Sequence, residues 1–194
     1  MDHKLYQEKI QQLYTDFPLC FPAPPYCGFS IGEGWFDSVK ELCVKLEALL
    51  SNLTEEKRKV FQVAQVKEKF GGLRVYVDYP LGNKDLYNQI NELIKETEEK
   101  CSKTCEACGA PGILKTDGWW RTLCEDCENK RIRQRAIDQR TSFISTHARN
   151  ASGMDWREWF NLDEEVKKTL IKEAEIQLLN EGKIKSVEET TGQM

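Results

Sequence analysis

Val60-Phe61-Gln62-Val63-Ala64-Gln65-Val66-Lys67-Glu68-Lys69-Phe70-Gly71-Gly72-Leu73-Arg74-Val75-Tyr76-Val77-Asp78-Tyr79 reads as two β-rich runs, 60–70 and 73–79, broken at Gly71-Gly72. That is the signature of a β-hairpin. Leu73, Val75, Val77 and Tyr79 alternate and should share the covered face, with Arg74, Tyr76 and Asp78 on the other. On the first strand parity leaves the inward face open near its start, because apolar residues fall on both sides of it. Two strands alone are marginal in water and need a helical layer to bury against.

The flanks supply that layer. Trp35, Phe36, Val39, Leu42, Cys43, Leu46, Leu49 and Leu50 recur at helical spacing and predict a helix over 35–51. Leu86, Ile90, Leu93, Ile94 and Thr97 predict another over 84–102, after Pro80, Gly82 and Asn83 end the second strand. A shorter helix over 4–14 places Leu5, Ile10 and Leu13 near one face, and the prolines at 18, 22, 24 and 25 stop it. The fold class is therefore α+β: a small antiparallel hairpin or sheet covered by helices on one face.

Downstream, Cys105, Cys108, Cys124 and Cys127 stand as C-x2-C, fifteen residues, C-x2-C, the spacing of a structural zinc ribbon. Asp117-Gly118 is a turn signal, so two short ribbon strands should flank it. Four thiolates fill a tetrahedral shell and leave no position for a catalytic water, so the zinc is read as structural. Trp119 and Trp120 face opposite sides if both lie on a strand, and at most one can bury in the ribbon; packing between ribbon and layer is weighed above base stacking. Three segments result: the α+β layer over 1–103, the four-cysteine zinc ribbon and a basic helix over 104–140, and a helical extension over 141–194. In the extension, Val166, Leu170, Ile171, Ala174, Leu178 and Leu179 make an apolar stripe that Gly182 ends, with a frayed tail beyond. It either folds back onto the layer or carries a dimer contact.

Composition narrows the function classes. The chain has 194 residues, 40% apolar and 31% charged, with net charge −4, which fits one real core and disfavours a dedicated nucleic-acid binder. No export signal or membrane-length apolar run is visible, so the reading is cytoplasmic, with reduced thiols. Cys43 reads as a small buried hydrophobe, while Cys20 and Cys27 bracket a proline-rich loop and can pair or hold a second ion. The two histidines, His3 and His147, have no evident cysteine partner. No catalytic residue is assigned.

An ordered set of motifs, Cys27-Gly28 with Gly34-Trp35-Phe36, then Gln65 to Tyr76, Thr104 to Gly112 and Trp120 to Cys127, resembles a family of small zinc-ribbon proteins of bacteriophages and bacterial genomes. The match covers about 27–130. That resemblance implies a phage or prophage setting and carries no agreed activity.

Two surfaces are candidates. The first joins Trp35, Gln65, Lys67, Arg74, Tyr76 and Trp120 as a cationic, stackable patch for a small anionic, nucleotide-like ligand or a host protein. The bland reading is that the hairpin charges only solubilise it. The second is nucleic-acid binding by Arg121, Lys130, Arg131, Arg133 and Arg135, against a merely solvated helix face. Gly28 to Gly34 opens a helix where free amides attract anions, although it matches no nucleotide-binding fingerprint. A non-enzymatic phage accessory protein, with counter-defence as one role open to it, ranks first; a nucleic-acid module second; a hydrolase of a nucleotide-type substrate last, since no acid–base or nucleophile pair can be assembled.

Overall fold

A computed structural model describes residues 3–23, 28–79 and 83–192, so Cys27, Pro80 and Gly82 lie outside the described residues. The elements run α1 (His3–Asp16), β1 (Phe29–Ser30), a 3-10 turn (Glu33–Trp35), α2 (Phe36–Ser51), α3 (Glu55–Arg58), β2 (Gln62–Lys69), β3 (Gly72–Asp78), α4 (Lys84–Cys101), β4 (Ile113–Lys115) and β5 (Arg121–Leu123). Four helices follow: α5 (Glu125–Ser152), α6 (Trp156–Asn161), α7 (Glu164–Asn180) and α8 (Val187–Thr191). The α+β class is as expected.

The chain divides into two compact units, Met1–Cys127 and Glu128–Met194. That single division falls between the expected bounds at 103/104 and 140/141, and the four cysteines lie in the first unit.

Hairpin alternation builds the first unit. Leu73 and Val75 on β3 and Val66 on β2 are buried against Val39, Leu42, Leu46, Ile90 and Ile94 of α2 and α4 in one apolar cluster. On α1, Ile10 and Leu13 join it, whereas Leu5 is 47% exposed. The parity left open on β2 is resolved by a bulge: Val63 pairs Val77 but Gln65 pairs Tyr76, so Ala64 is extra. Phe61 and Val63 face inward before it and Val66 after it, and one inserted residue keeps both apolar sets in the core.

Two features depart from the sequence reading. The sheet is three-stranded and mixed, because Phe29 and Ser30 of β1 pair in parallel with Val66 and Lys67. The hairpin turn is Phe70-Gly71, one residue earlier than the Gly-Gly pair suggests: Lys69 pairs Gly72, and Phe70 and Gly71 have φ of 53° and 73°. Both positive values fit a type I′ turn, which matches strand twist.

In the second unit Ile144 and Ala148 of α5 and Ala174 and Leu178 of α7 are buried together, with Leu170 and Ile171 packed beside them. Val166 and Leu179, expected in that stripe, are 46% and 38% exposed. Arg140 reaches Glu175 at 2.8 Å and donates to the Lys185 carbonyl at 2.9 Å. The tail forms the short helix α8 instead of fraying. A capping box between Ser186 and Glu189 starts it.

Candidate metal centre and aromatic groove

Ribbon strands β4 and β5 pair antiparallel, Ile113 with Leu123 and Lys115 with Arg121, and carry the two C-x2-C turns towards each other. The Sγ atoms of Cys105, Cys108, Cys124 and Cys127 all lie within 4.8 Å of one another, and those of Cys108 and Cys124 are 3.6 Å apart. Four sulfurs at about 2.3 Å from one tetrahedral ion sit about 3.8 Å from each other, so the cluster has the dimensions of a metal site. Burial pushes the Cys105 thiol up, but backbone N–H groups of Cys124, Cys108 and Ala107 outweigh it and leave it lowered to about 7. Burial and the adjacent sulfurs push Cys127 the other way, a crowding that a divalent cation relieves by binding thiolates.

The knuckle is built into the layer by backbone contacts. Gly34 N–H donates to the Glu106 carbonyl at 2.8 Å, and the Trp35 indole N–H donates to the Thr104 carbonyl at 2.7 Å. A Cβ on Gly34 would overlap the Cys105 carbonyl oxygen and the Gly109 nitrogen, so only glycine admits the knuckle here. Of the amides expected to attract an anion at Gly28 to Gly34, that of Gly34 is thus taken by the knuckle. The placement of Trp35 on a ligand surface is also corrected: the ring is 0% exposed and its polar atom is committed.

The hairpin tip makes the second joint. Thr122 Oγ1 donates to the Gly71 carbonyl at 2.6 Å, and Gly71 N–H donates to Glu68 Oε1 at 2.6 Å. A Cβ on Gly71 would strike the Leu114 side chain.

Where the tip meets the ribbon, a groove of about 700 Å³ is lined by Lys67, Glu68, Lys69, Phe70, Gly118, Trp119 and Trp120. Phe70, Trp119 and Trp120 are 66%, 72% and 46% exposed, and the Trp120 ring meets Phe70 edge-on at 5.9 Å. The expected burial of one tryptophan between ribbon and layer is therefore corrected: both flank the ribbon turn, outside its three-residue strands, with their rings towards solvent.

Of the remaining patch residues, Lys67 and Trp120 come together in the groove. Gln65, Arg74 and Tyr76 share the sheet face of Lys67 by register, Gln65 opposite Tyr76 and Lys67 opposite Arg74. Lys67 Nζ stands 5.1 Å from the Tyr76 ring centre, and Arg74 turns to Glu98 at 3.8 Å. Lys69, Phe70 and Trp119 are groove residues that the first patch omitted. Their signal was the turn itself, which puts residues 69 and 70 at the exposed tip.

The basic set is split. Arg121 lies on β5 and faces Glu106 at 3.4 Å, whereas Lys130, Arg131, Arg133 and Arg135 lie on α5 in the second unit. Arg131 makes a two-pronged ion pair with Glu128 at 2.7 and 2.8 Å; Lys130, Arg133 and Arg135 are exposed.

Glu106, between the knuckle cysteines, is 7% exposed, and its Oε2 has no hydrogen-bond partner among the described residues. Burial pushes its carboxyl up, partly offset by Arg121. Cys20, Cys43 and Cys101 are buried free thiols, Cys43 as expected; a pairing of Cys20 with Cys27 falls outside the described residues. Among the described residues no helix is long and apolar enough to cross a membrane.

No family model, curated protein or solved structure matches this chain.

Proposed function

We propose that the four sulfurs hold a structural zinc ion and that the chain is a non-enzymatic, zinc-braced binding protein whose groove captures a small, planar, anionic ligand of the nucleotide class. Borderline-soft, tetrahedral zinc suits four thiolates, and the four-sulfur set leaves it no open coordination position. The observation that carries the ligand reading is the convergence of three exposed rings, Phe70, Trp119 and Trp120, with the side chains of Lys67 and Lys69 along one groove. Exposed rings grouped beside cations mark a recognition surface, in which bases stack and phosphates find charge. The setting we propose is the cytoplasm of a bacterial host, with the chain serving a phage or prophage in counter-defence.

A thermal-shift screen of cyclic dinucleotides, ADP-ribose derivatives and mononucleotides tests this. A concentration-dependent rise in melting temperature, lost in Trp119→Ala, is expected. No response to any of them contradicts the nucleotide reading and leaves a host protein as the occupant. A nucleic-acid strand is the second reading, favoured by the exposed Lys130, Arg133 and Arg135 on α5. It requires affinity that falls steeply with salt, and no binding at low salt eliminates it.

A further inference from the structure

A second cleft, of about 570 Å³, lies beside the knuckle and is lined by Tyr6, Gln7, Phe29, Ser30, Ile31, Gly32, Glu68, Glu106 and Arg121. Glu68 borders both this cleft and the aromatic groove, but no other residue is common to the two. Its chemistry differs from the groove's. Among its described lining residues there are no lysines, and the charges are two carboxylates and one guanidinium.

Glu106 is fixed at both ends of its backbone. Its N–H donates to the Thr122 carbonyl at 2.9 Å, and its carbonyl accepts from Gly34 at 2.8 Å. The Glu106 side chain lines the cleft and is 10% exposed; Oε1 faces Arg121 Nη1 at 3.4 Å, and Oε2 is buried without a hydrogen-bond partner among the described residues. An orphaned carboxylate oxygen in a native fold calls for a missing donor. Tyr6 cannot supply it, since its hydroxyl is committed to both the N–H and the carbonyl of Ile31 at 3.2 and 3.1 Å. Arg121, with its side chain 46% exposed, keeps guanidinium N–H groups for an incoming acceptor.

The complement of this cleft presents adjacent N–H donors to a carboxylate and, on the same rigid frame, acceptors to a guanidinium. Guanine does so: N1–H and the N2 amino group lie on one edge, with O6 and N7 next to them. Adenine and cytosine set an acceptor beside their single amino group, and uracil flanks its one N–H with two carbonyls that would face the carboxylate. A free guanidinium has the donors but would bring a second cation to Arg121 and no acceptor. Phe29, packed with Tyr14 and Phe21, adds an apolar border to the cleft.

We propose that this cleft is a guanine-selective site, in which the Glu106 carboxylate accepts from N1–H and the N2 amino group while Arg121 donates towards O6 and N7. It is independent of the aromatic groove and does not rest on the groove's ligand being a nucleotide.

The test uses the full-length, metal-loaded chain and neutral nucleosides, which lack the phosphates that would draw them to Lys67 and Lys69. Guanosine, inosine, adenosine, cytidine and uridine are titrated by isothermal calorimetry. Guanosine binding, with inosine about tenfold weaker for want of the N2 amino group and the other three weaker still, is the expected result. Glu106→Gln and Arg121→Ala should each lower guanosine affinity about tenfold or more, with metal content and melting temperature measured alongside. Trp119→Ala in the groove should leave the preference for guanosine over inosine unchanged. Inosine needs no altered protein, so the comparison stands even if a variant misfolds. Equal affinity for all five nucleosides, or no binding of guanosine, overturns the proposal. So does guanosine binding that is lost in Trp119→Ala and kept in Glu106→Gln, which would seat the base in the groove.

Discussion

Met1–Cys127 and Glu128–Met194 reach order by different means. In the first unit a continuous apolar cluster runs through α1, α2, β2, β3 and α4, and the knuckle is joined to it by backbone contacts at Gly34 and Gly71. In the second, the buried set is Ile144, Ala148, Ala174 and Leu178 among the described residues, supplemented by helix caps and the Arg140–Glu175 pair. Core burial supplies most stability per residue, and exposed helix caps contribute about 1 kcal/mol or less each. The first unit can therefore hold rings out in solvent at fixed positions, whereas the second has little reserve against losing a single apolar side chain.

Metal removal should separate the units most sharply. A structural tetrathiolate carries roughly 10 kcal/mol of apparent binding free energy, so chelation under reducing conditions, or Cys105→Ser, should unfold at least the ribbon. Amide hydrogen exchange should then show lost protection over β4 and β5 and retained protection at Ile144 and Leu178. Protons compete for the same sulfurs, so metal-linked stability is present at high pH and lost as pH falls. Cys105, lowered to about 7, holds its proton less tightly than Cys108 and Cys127, both raised by neighbouring sulfurs and burial. Metal retention that does not change between pH 8 and pH 5 would break the scheme.

Leu178→Ala removes the most buried side chain of the second unit, at 0% exposure, and should cost about 3 kcal/mol. Exchange should accelerate in α5 and α7 without a change in metal content. Gly34→Ala should cost about 2 kcal/mol and also weaken metal binding, because the added methyl meets the Cys105 carbonyl and must displace the knuckle. A variant with unaltered melting temperature and metal affinity would deny the close approach. Smallest of all, Trp119→Ala, at a ring 72% exposed, should move stability by less than about 0.5 kcal/mol while abolishing the thermal shift induced by nucleotides that carry no guanine.

The same contrast explains what the sequence made legible. Regular burial leaves a periodic trace, so the alternation of Leu73 and Val75, the stripes of α2 and α4 and the spacing of the four cysteines all lead to the observed elements. Irregular backbone leaves almost none. The bulge at Ala64 appears only as broken parity, the two residues of β1 are too short for any pattern, and Gly71-Gly72 admits two turn registers of which Phe70-Gly71 is taken. At the site, Lys67 and Trp120 were accessible from the motifs, but Trp35 was misassigned because a tryptophan beside glycines looks the same in a core as on a binding face. Glu106 gave no signal beyond following a cysteine ligand, since its burial depends on Gly34 and Thr122, both distant in sequence.

Central to the proposed function is a closed, all-sulfur centre that braces the layer and fixes the groove. X-ray absorption at the zinc edge of freshly purified, reduced protein tests that most directly. One zinc per chain with four sulfurs at about 2.3 Å and no lighter atom in the shell is the predicted result. An oxygen or nitrogen bound to the ion, or well under one equivalent of zinc, would contradict it.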